Sequence, residues 1–177
     1  MMTIRSKRGP NVKPDEHKLV VKFAKQCLRE ICKKQYEIEY RGKPVVYAEA
    51  LKRLHVRTKY RSQRCYGSAG GIDIDVRYLR KPKRIGISRP EAWYLLHEYD
   101  SFANDPVIGE FETTDKELVL LAVVAHEVAH HIQMLYGPQT RYLKNTHRKP
   151  HGDAFKTIYR ELRRTLVNPY IQNQQAA

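Results

Sequence analysis

Residues 114–136 read TDKELVLLAVVAHEVAHHIQMLY, and this stretch decides the fold. Thr114 precedes a carboxylate three residues on, Glu117, which is the capping-box pattern that begins many helices. The residues that follow are apolar on nearly every side of a helix, so we expect a central, buried helix. Gly137-Pro138 predicts where this helix ends.

Within the predicted helix lies His126-Glu127-Val128-Ala129-His130. Two histidines four residues apart project from one helical face and can bind a single zinc ion. Glu127 between them can act as the general base that takes a proton from water. Burying these groups is costly unless a metal ion or hydrogen bonds compensate. The pattern therefore predicts a zinc hydrolase site, with two hydrogen-bonded core histidines as the alternative.

A catalytic zinc ion needs a third protein ligand. The downstream candidates are His131, His147, His151, Asp153 and Glu161. We favour His151 over His147, because a flexible glycine separates it from an apolar aromatic residue, Phe155, on the next predicted helix. Glu161 would serve in a site of the two-histidine, one-glutamate kind, although an ordinary ion pair explains it equally well.

His131 follows the second histidine of the pattern directly. Neighbouring residues of a helix project about 100° apart, so His131 cannot join the face of His130. We therefore predict that His131 supports the site from outside or lies at the surface.

Hydrophobic periodicity predicts the remaining elements. Helices are expected at about 15–35, 46–54 and 153–167, strands at 55–61, 71–79 and 84–88, and an irregular segment at 90–113. The predicted fold class is α+β, with an N-terminal helix, a small three-stranded sheet, the buried central helix and a C-terminal helix. We expect one domain at 14–167, between a basic tail at 1–13 and a second tail at 168–177.

The charge of the chain favours a polyanionic partner. It contains 33 Lys and Arg against 19 Asp and Glu, which gives a net charge of +14. Such an excess most often indicates nucleic acid, and we expect Arg57, Lys59 and Arg61 to contact phosphates of single-stranded or distorted DNA. A cationic stripe on the first helix is either a solvated surface or a binding face; it comprises Lys18, Lys22, Lys25, Arg29 and Lys33.

The segment 91–117 has the opposite charge, with eight acidic residues against one lysine. We expect either a lid over the site or a surface loop.

Cysteine and apolar content restrict the class of protein. Three cysteines without a CxxC pair exclude a disulfide scaffold and a cysteine zinc ribbon, and suit a reducing cytosol. The longest apolar run has eight residues, whereas a membrane-spanning helix needs about 20. The basic N-terminus lacks the apolar stretch of a secretory signal. We therefore expect a cytoplasmic protein without a membrane partner, associated with the nucleoid, or nuclear in a eukaryote.

Taken together, the HExxH helix, a linker of about twenty residues and His151-Gly152-x-x-Phe155 resemble the SprT-like zinc metalloproteases. The order of the predicted elements over about 15–167 is similar to that family too. The resemblance implies His126, His130 and His151 as Zn²⁺ ligands and Glu127 as catalytic base. It also implies a zincin-like core, in which a small sheet packs on the active-site helix, and substrates that are bound or crosslinked to DNA.

Two features depart from that family. The chain carries no cysteine zinc ribbon at its C-terminal end, and the acidic segment is longer than a short strand-to-helix connection. Residues 126–133 also resemble some bacterial neutral zinc metallopeptidases, which use an acidic third ligand. No downstream acidic motif fits that role as well as His151.

The function we expect is a zinc-dependent endopeptidase that acts on DNA-bound or DNA-crosslinked proteins. The alternatives are a nucleic-acid-binding protein with a structural or vestigial zinc site, and a regulatory metalloprotease that cleaves one specific protein. The protein substrate would add as a strand to a sheet edge, for which we favour residues 84–88. Tyr66, Tyr136 and Tyr142 are the candidate oxyanion donors, and the oligomeric state is left open.

Overall fold

A computed structural model describes residues 4–33, 39–40, 43–44, 54–61, 64–80, 94–136 and 149–175. The helices are α1 (Pro14–Lys33), α2 (Lys116–Tyr136), α3 (Asp153–Leu162) and α4 (Asn168–Gln175), with a 3₁₀ turn at Val76–Leu79 and a π-helical turn at Arg163–Val167. The strands are β1 (Arg5–Arg8), β2 (Glu39–Tyr40), β3 (Lys43–Pro44), β4 (His55–Lys59), β5 (Tyr66–Ser68), β6 (Gly71–Asp75), β7 (Tyr94–Leu96) and β8 (Phe111–Thr113). The predicted α+β class is confirmed.

Within the described part of the chain, the main sheet has four strands, in the order β1-β4-β6-β5. Strands β1 and β6 flank β4 in parallel, while β5 runs antiparallel to β6. The prediction of three strands was therefore wrong. Residues 5–8, expected in a tail, form an edge strand in which Arg5 pairs with His55. Residues 66–68, which carried no strand prediction, form the opposite edge.

Strand β6 ends earlier than predicted. Its expected range was 71–79, but the side chain of Asp75 accepts a hydrogen bond from the backbone N–H of Arg77 and begins the 3₁₀ turn. The strand predicted at 84–88, and the helix predicted at 46–54 apart from its last residue, lie outside the described residues.

Helix α1 begins at a proline, whose fixed φ suits the first helical position. Its apolar face is fully buried against α2 and the sheet, and consists of Val20, Phe23, Ala24, Cys27, Leu28 and Ile31. The predicted range is confirmed as far as Lys33. Among the described residues, no helix combines the length and the apolarity that crossing a bilayer requires.

Helix α2 is the centre of the core. Every residue from Leu118 to Ile132 is buried, as the all-round apolar pattern predicts. The N-terminal cap of α2 differs from the prediction, since Asp115 and not Thr114 caps the helix. Its Oδ1 accepts hydrogen bonds from the backbone N–H groups of Glu117 at 2.8 Å and Leu118 at 3.3 Å. An aspartate satisfies these unpaired donors as well as a hydroxyl does.

The segment 90–113 is more regular than expected. Strands β7 and β8 form an antiparallel pair, with Tyr94 opposite Thr113, and enclose the loop 97–110. After α3, the helical path continues through the π-helical turn into α4, although residues 168–177 were expected to form a tail. Arg163, which follows α3 directly, is only 2% exposed.

Candidate metal centre

Three histidine side chains converge at the middle of α2. His126 and His130 lie one turn apart on this helix, and His151 precedes α3. The Nε2 atom of His151 lies 3.0 Å from that of His130 and 3.3 Å from that of His126. The three side chains could together hold a metal ion. The structure thus brings together the three residues that the sequence indicated.

The position of His151 depends on contacts with α2. The amide of Gln133 donates a hydrogen bond to the carbonyl oxygen of Lys149 at 2.9 Å, which holds the turn that carries His151. One turn into α3, the ring of Phe155 stacks on that of His130 with centroids 4.3 Å apart. The glycine between histidine and helix, Gly152, forms the N-terminal cap of α3 in an extended conformation.

A buried glutamate that the sequence analysis missed supports His126. One carboxylate oxygen of Glu98 lies 3.2 Å from the Nδ1 atom of His126, and only 2% of the Glu98 side chain is exposed. The hydroxyl of Tyr159 donates to its other oxygen at 2.5 Å. An acceptor at Nδ1 fixes the proton there, so that Nε2 keeps its lone pair for a metal. No spacing rule connects residues 98 and 126, so only the fold reveals this pair.

The charge of Glu98 is balanced by Arg163 in the π-helical turn. Its guanidinium lies 3.7 Å from Glu98 and donates to the Tyr159 hydroxyl and to the carbonyl oxygen of Gly109, each at 3.1 Å. A π-helical turn changes the direction in which side chains leave a helix, and such turns are frequent at functional sites. Here the turn coincides with the residue that brings a cation beside the buried carboxylate.

Glu127 lies on the wall of a cleft of about 500 Å³ next to the histidines. The cleft is lined by Arg64, Cys65, Leu96, His97, Glu98, Tyr99, Val123, His126 and Glu127. Burial raises the pKa of the Glu127 carboxyl to about 7, against a smaller opposing effect of His126. A carboxyl with such a pKa can gain or lose a proton near neutral pH.

The loop 97–110, which the sequence suggested as a lid or a surface loop, lies against the histidine cluster. The ring centroid of Tyr99 is 3.8 Å from that of His151, and 55% of Tyr99 remains exposed. Asp105 fixes the loop to α3 through Arg160, at 2.6 Å. The acidic segment therefore forms part of the site.

Strand β5 lies directly against α2 on the other side of the site. A Cβ added to Gly67 would lie 2.3 Å from the carbonyl oxygen of Glu127 and 2.7 Å from the Cβ of His130, so only glycine fits. His131 Nδ1 lies 2.6 Å from the carbonyl oxygen of Ser68 and holds the same strand. His131 is fully buried, so a surface position is excluded, and it does not join the three-histidine cluster.

The electrostatics of the cluster favour the neutral forms of His130 and His151. Burial lowers the pKa of His130 to about 3, with smaller contributions in the same direction from the charges of His126 and His151. Burial, followed by the charge of His126, lowers the pKa of His151 to about 4. Near neutral pH both rings therefore keep a nitrogen lone pair, which metal binding requires.

Other residues that the sequence singled out lie apart from this cluster. Glu161 and Asp153 are on α3 but are not among the residues that could share the metal. Tyr66 lies on β5 and is 60% exposed. His147, Tyr142 and the side chain of Tyr136 lie outside the described residues.

The predicted nucleic-acid residues lie on or just after β4. Arg57 forms two hydrogen bonds with Asp73, at 2.7 and 2.9 Å, and the Lys59 ammonium is 3.8 Å from the same carboxylate. Arg61 is exposed beyond the end of the strand. Two of the three cations therefore share one acidic partner within the sheet.

Comparisons with known proteins identify no relative of this chain. Neither the protein-family models nor the curated proteins nor the solved structures contain a match.

Proposed function

We propose that this protein is a zinc-dependent endopeptidase of the SprT-like type that acts on DNA-bound or DNA-crosslinked proteins. The observation that carries the proposal is the convergence of the Nε2 atoms of His126, His130 and His151, with His126 and Glu127 on the wall of an open cleft. A buried carboxylate beside His126 at an open cleft has an evident use in hydrolysis and none in a purely structural metal site.

The donor set fits zinc. Two ligands of a tetrahedral zinc ion with bonds of about 2.0–2.1 Å lie about 3.3 Å apart. The Nε2 separations of 3.0 and 3.3 Å are close to this value. Three histidines leave one coordination position for water, as in catalytic sites. Glu98 supplies the carboxylate that commonly orients a metal-binding histidine.

The residues of this chain would divide the chemistry as follows. Zinc, when bound by His126, His130 and His151, supplies a Lewis acid that polarises a carbonyl and makes water more acidic. Glu127 accepts a proton from the attacking water and delivers it to the leaving amine. Tyr99 lines the cleft beside Glu127, and its phenol is the donor we assign to the developing negative charge on the substrate oxygen.

The cleft suits an extended segment of polypeptide. It lies between the chain that enters β5 and the end of β7, and it has the volume of a typical ligand site. Among the described strands, β5 is an edge of the main sheet, and it contacts α2 beside Glu127. A substrate strand that adds to this edge would bring its peptide bonds past the histidine cluster.

The proposed substrate class rests on charge. The net charge of +14 favours a site of action near a polyanion, and Arg57, Lys59 and Arg61 remain the phosphate contacts that we propose on the sheet.

The test combines metal analysis with proteolysis of casein, with and without DNA, for the wild type, Glu127→Gln and Glu117→Gln. Glu117 is an exposed glutamate on the same helix and serves as the matched control. We expect one zinc ion per chain in all three proteins, and a loss of cleavage of about 10²- to 10⁴-fold for Glu127→Gln alone. Cleavage by Glu127→Gln at the wild-type rate would overturn the mechanism. A wild type that holds zinc without cleaving would indicate a structural metal.

A further inference from the structure

A second basic surface lies on α1, away from the histidine cluster. Lys18, Lys22, Lys25 and Arg29 recur at intervals of four, three and four residues. At about 100° per residue they fall within an arc of roughly 60°, opposite the buried apolar face of the helix. This arrangement makes one continuous cationic ridge.

The ridge borders a groove rather than a flat surface. Beside it, the groove of about 510 Å³ is lined by Ser6 of the edge strand β1 and by His17. His17 connects three elements, because its Nδ1 lies 2.9 Å from the Thr58 hydroxyl and its Nε2 lies 3.2 Å from the Ser6 hydroxyl. These bonds fix β1 against α1, so the shape of the groove is set before any ligand arrives.

The charge of the groove is largely uncompensated. Among the described residues, Lys18 is the only cation of the ridge that forms an ion pair, an exposed contact of 3.4 Å with Asp15. The nearby carboxylate of Glu16 is held by Arg80 at 2.6 Å. Within the described part of the chain, no ion pair joins Lys22, Lys25 or Arg29 to a carboxylate, in contrast to Arg57 on the sheet. The groove therefore offers a stronger attraction for an anion than the sheet face does.

We propose that the groove between α1 and β1 binds the phosphodiester backbone of nucleic acid. From residue 18 to residue 29 the ridge extends for about 16 Å, at about 1.5 Å per residue. The phosphates of a nucleic-acid strand form a row of closely spaced negative charges, so a ridge of this length can contact more than one of them. Four cations facing a row of this length match a repeated anion better than an isolated one. The inference rests on the nucleic-acid part of the proposed function and is independent of its peptidase part.

The test measures the binding of fluorescein-labelled DNA by anisotropy over a series of salt concentrations. It compares the wild type with the triple variant Lys22→Gln/Lys25→Gln/Arg29→Gln. The matched control, Lys116→Gln/Lys149→Gln/Arg164→Gln, removes the same charge from three exposed positions elsewhere. A third variant, Arg57→Gln/Lys59→Gln/Arg61→Gln, tests the sheet face, and circular dichroism verifies that each protein is folded.

We expect the groove variant to reduce the slope of log affinity against log salt by up to about 2 to 3, since each released phosphate contact contributes about 0.7 to 0.9. The control should keep nearly the wild-type slope. The inference would be overturned if the groove variant and the control lost the same amount of salt dependence. It would also be overturned if only the sheet variant lost it. So would displacement of the DNA by polyglutamate at equal charge concentration, which would indicate an acidic protein as the occupant.

Casein cleavage by the same proteins separates this inference from the proposed function. A groove variant that cleaves casein normally but binds DNA weakly would support the groove as the DNA-binding site. Absent cleavage in the wild type, together with groove-dependent binding, contradicts only the peptidase.

Discussion

The two sides of the histidine cluster are built in different ways. On one side, a single turn and a half of α2 supplies His126, Glu127 and His130, and helical periodicity alone aligns them. On the other side, Glu98, His151 and Arg163 come from a loop, a turn and a π-helical segment that only the fold brings together. The comparison shows that reactive groups can be encoded locally while the groups that orient them are not.

The two sides also differ in what holds them. The α2 side lies within an apolar core in which Val124, Ala125, Val128 and Ala129 are fully buried. The opposite side depends on buried charges, since Glu98 and Arg163 each expose only 2–3% of their side chains. Apolar packing tolerates small changes, whereas an unpaired buried charge is strongly destabilising. Substitutions on the second side therefore test the comparison most directly.

The largest effect is expected for His151→Ala. This change removes the only ligand that the second side contributes, and a site reduced to two histidines should lose its metal because affinity depends on ligand number and geometry. The measurement is metal content after dialysis, with His55→Ala, a histidine on β4, as the control. Full metal retention by His151→Ala would show that α2 alone makes the site.

Arg163→Met should destabilise the whole domain. It leaves Glu98 buried without its cation, and breaking a buried pair by removing one partner costs about 3–5 kcal/mol. Urea unfolding should show this loss, while Arg164→Met, one residue further and exposed, should stay close to the wild type. Equal stabilities of the two variants would mean that Arg163 does not support the loop 97–110.

Glu98→Gln should act on the metal more than on the fold. An amide keeps the size of the side chain but loses the charge that stabilises the Nδ1 proton of His126. Changes to such supporting groups lower metal affinity by about 10- to 100-fold. Competition with a chelator measures this affinity, and unfolding in the presence of excess chelator measures stability. If the variant lost stability but bound metal normally, Glu98 would stabilise the fold without affecting the metal site.

The smallest effect is expected for Asp105→Asn. Burial opposes ionisation, but hydrogen bonds from Arg160 and two backbone N–H groups lower the pKa of Asp105 to about 2. Because this pKa is below the unfolded value of about 3.9, the carboxylate stabilises the fold above about pH 4 and loses that contribution as the pH falls through about 2.

Arg160 is partly exposed, so the free-energy difference between the wild type and Asp105→Asn should be at most about 1 kcal/mol. Urea unfolding should show this free-energy difference above about pH 5, and the difference should become smaller toward pH 3. A difference that is independent of pH would contradict the role of ionisation.

The elements that could be predicted are those whose sequence pattern lies within one continuous stretch of the chain. The apolar stripe of α1 and the all-round apolar pattern of α2 were sufficient for two long helices. Strand β1 was missed because Arg5-Ser6-Lys7-Arg8 has no apolar alternation, and all four residues are exposed at a sheet edge. Its pairing with β4 depends on residues fifty positions away.

The candidate site divides in the same way. His126, Glu127 and His130 follow from spacing, and His151 from its place before a predicted helix. Arg163 carried no sequence signal for its role, because it lies in a π-helical turn, which changes the direction in which side chains leave the helix. Glu98 and Tyr99 had no sequence signal beyond membership of an acidic segment.

The pairing of β1 with β4 has a consequence for how the chain folds during synthesis. The partner of Arg5 is His55, so strand β1 leaves the ribosome fifty residues before the strand on which it packs. At about 5–20 residues per second this interval is about 3–10 s. Helix α1 can form in that time, but the β1–β4 pair cannot, because β4 has not yet been synthesised.

During this delay the nascent chain exposes a strand without a neighbour. Unpaired strands invite association with other chains, and charged side chains are a common defence. Three of the four residues of β1 are Arg or Lys. Electrostatic repulsion between the β1 strands of neighbouring nascent chains on one polysome would then oppose their association until β4 emerges.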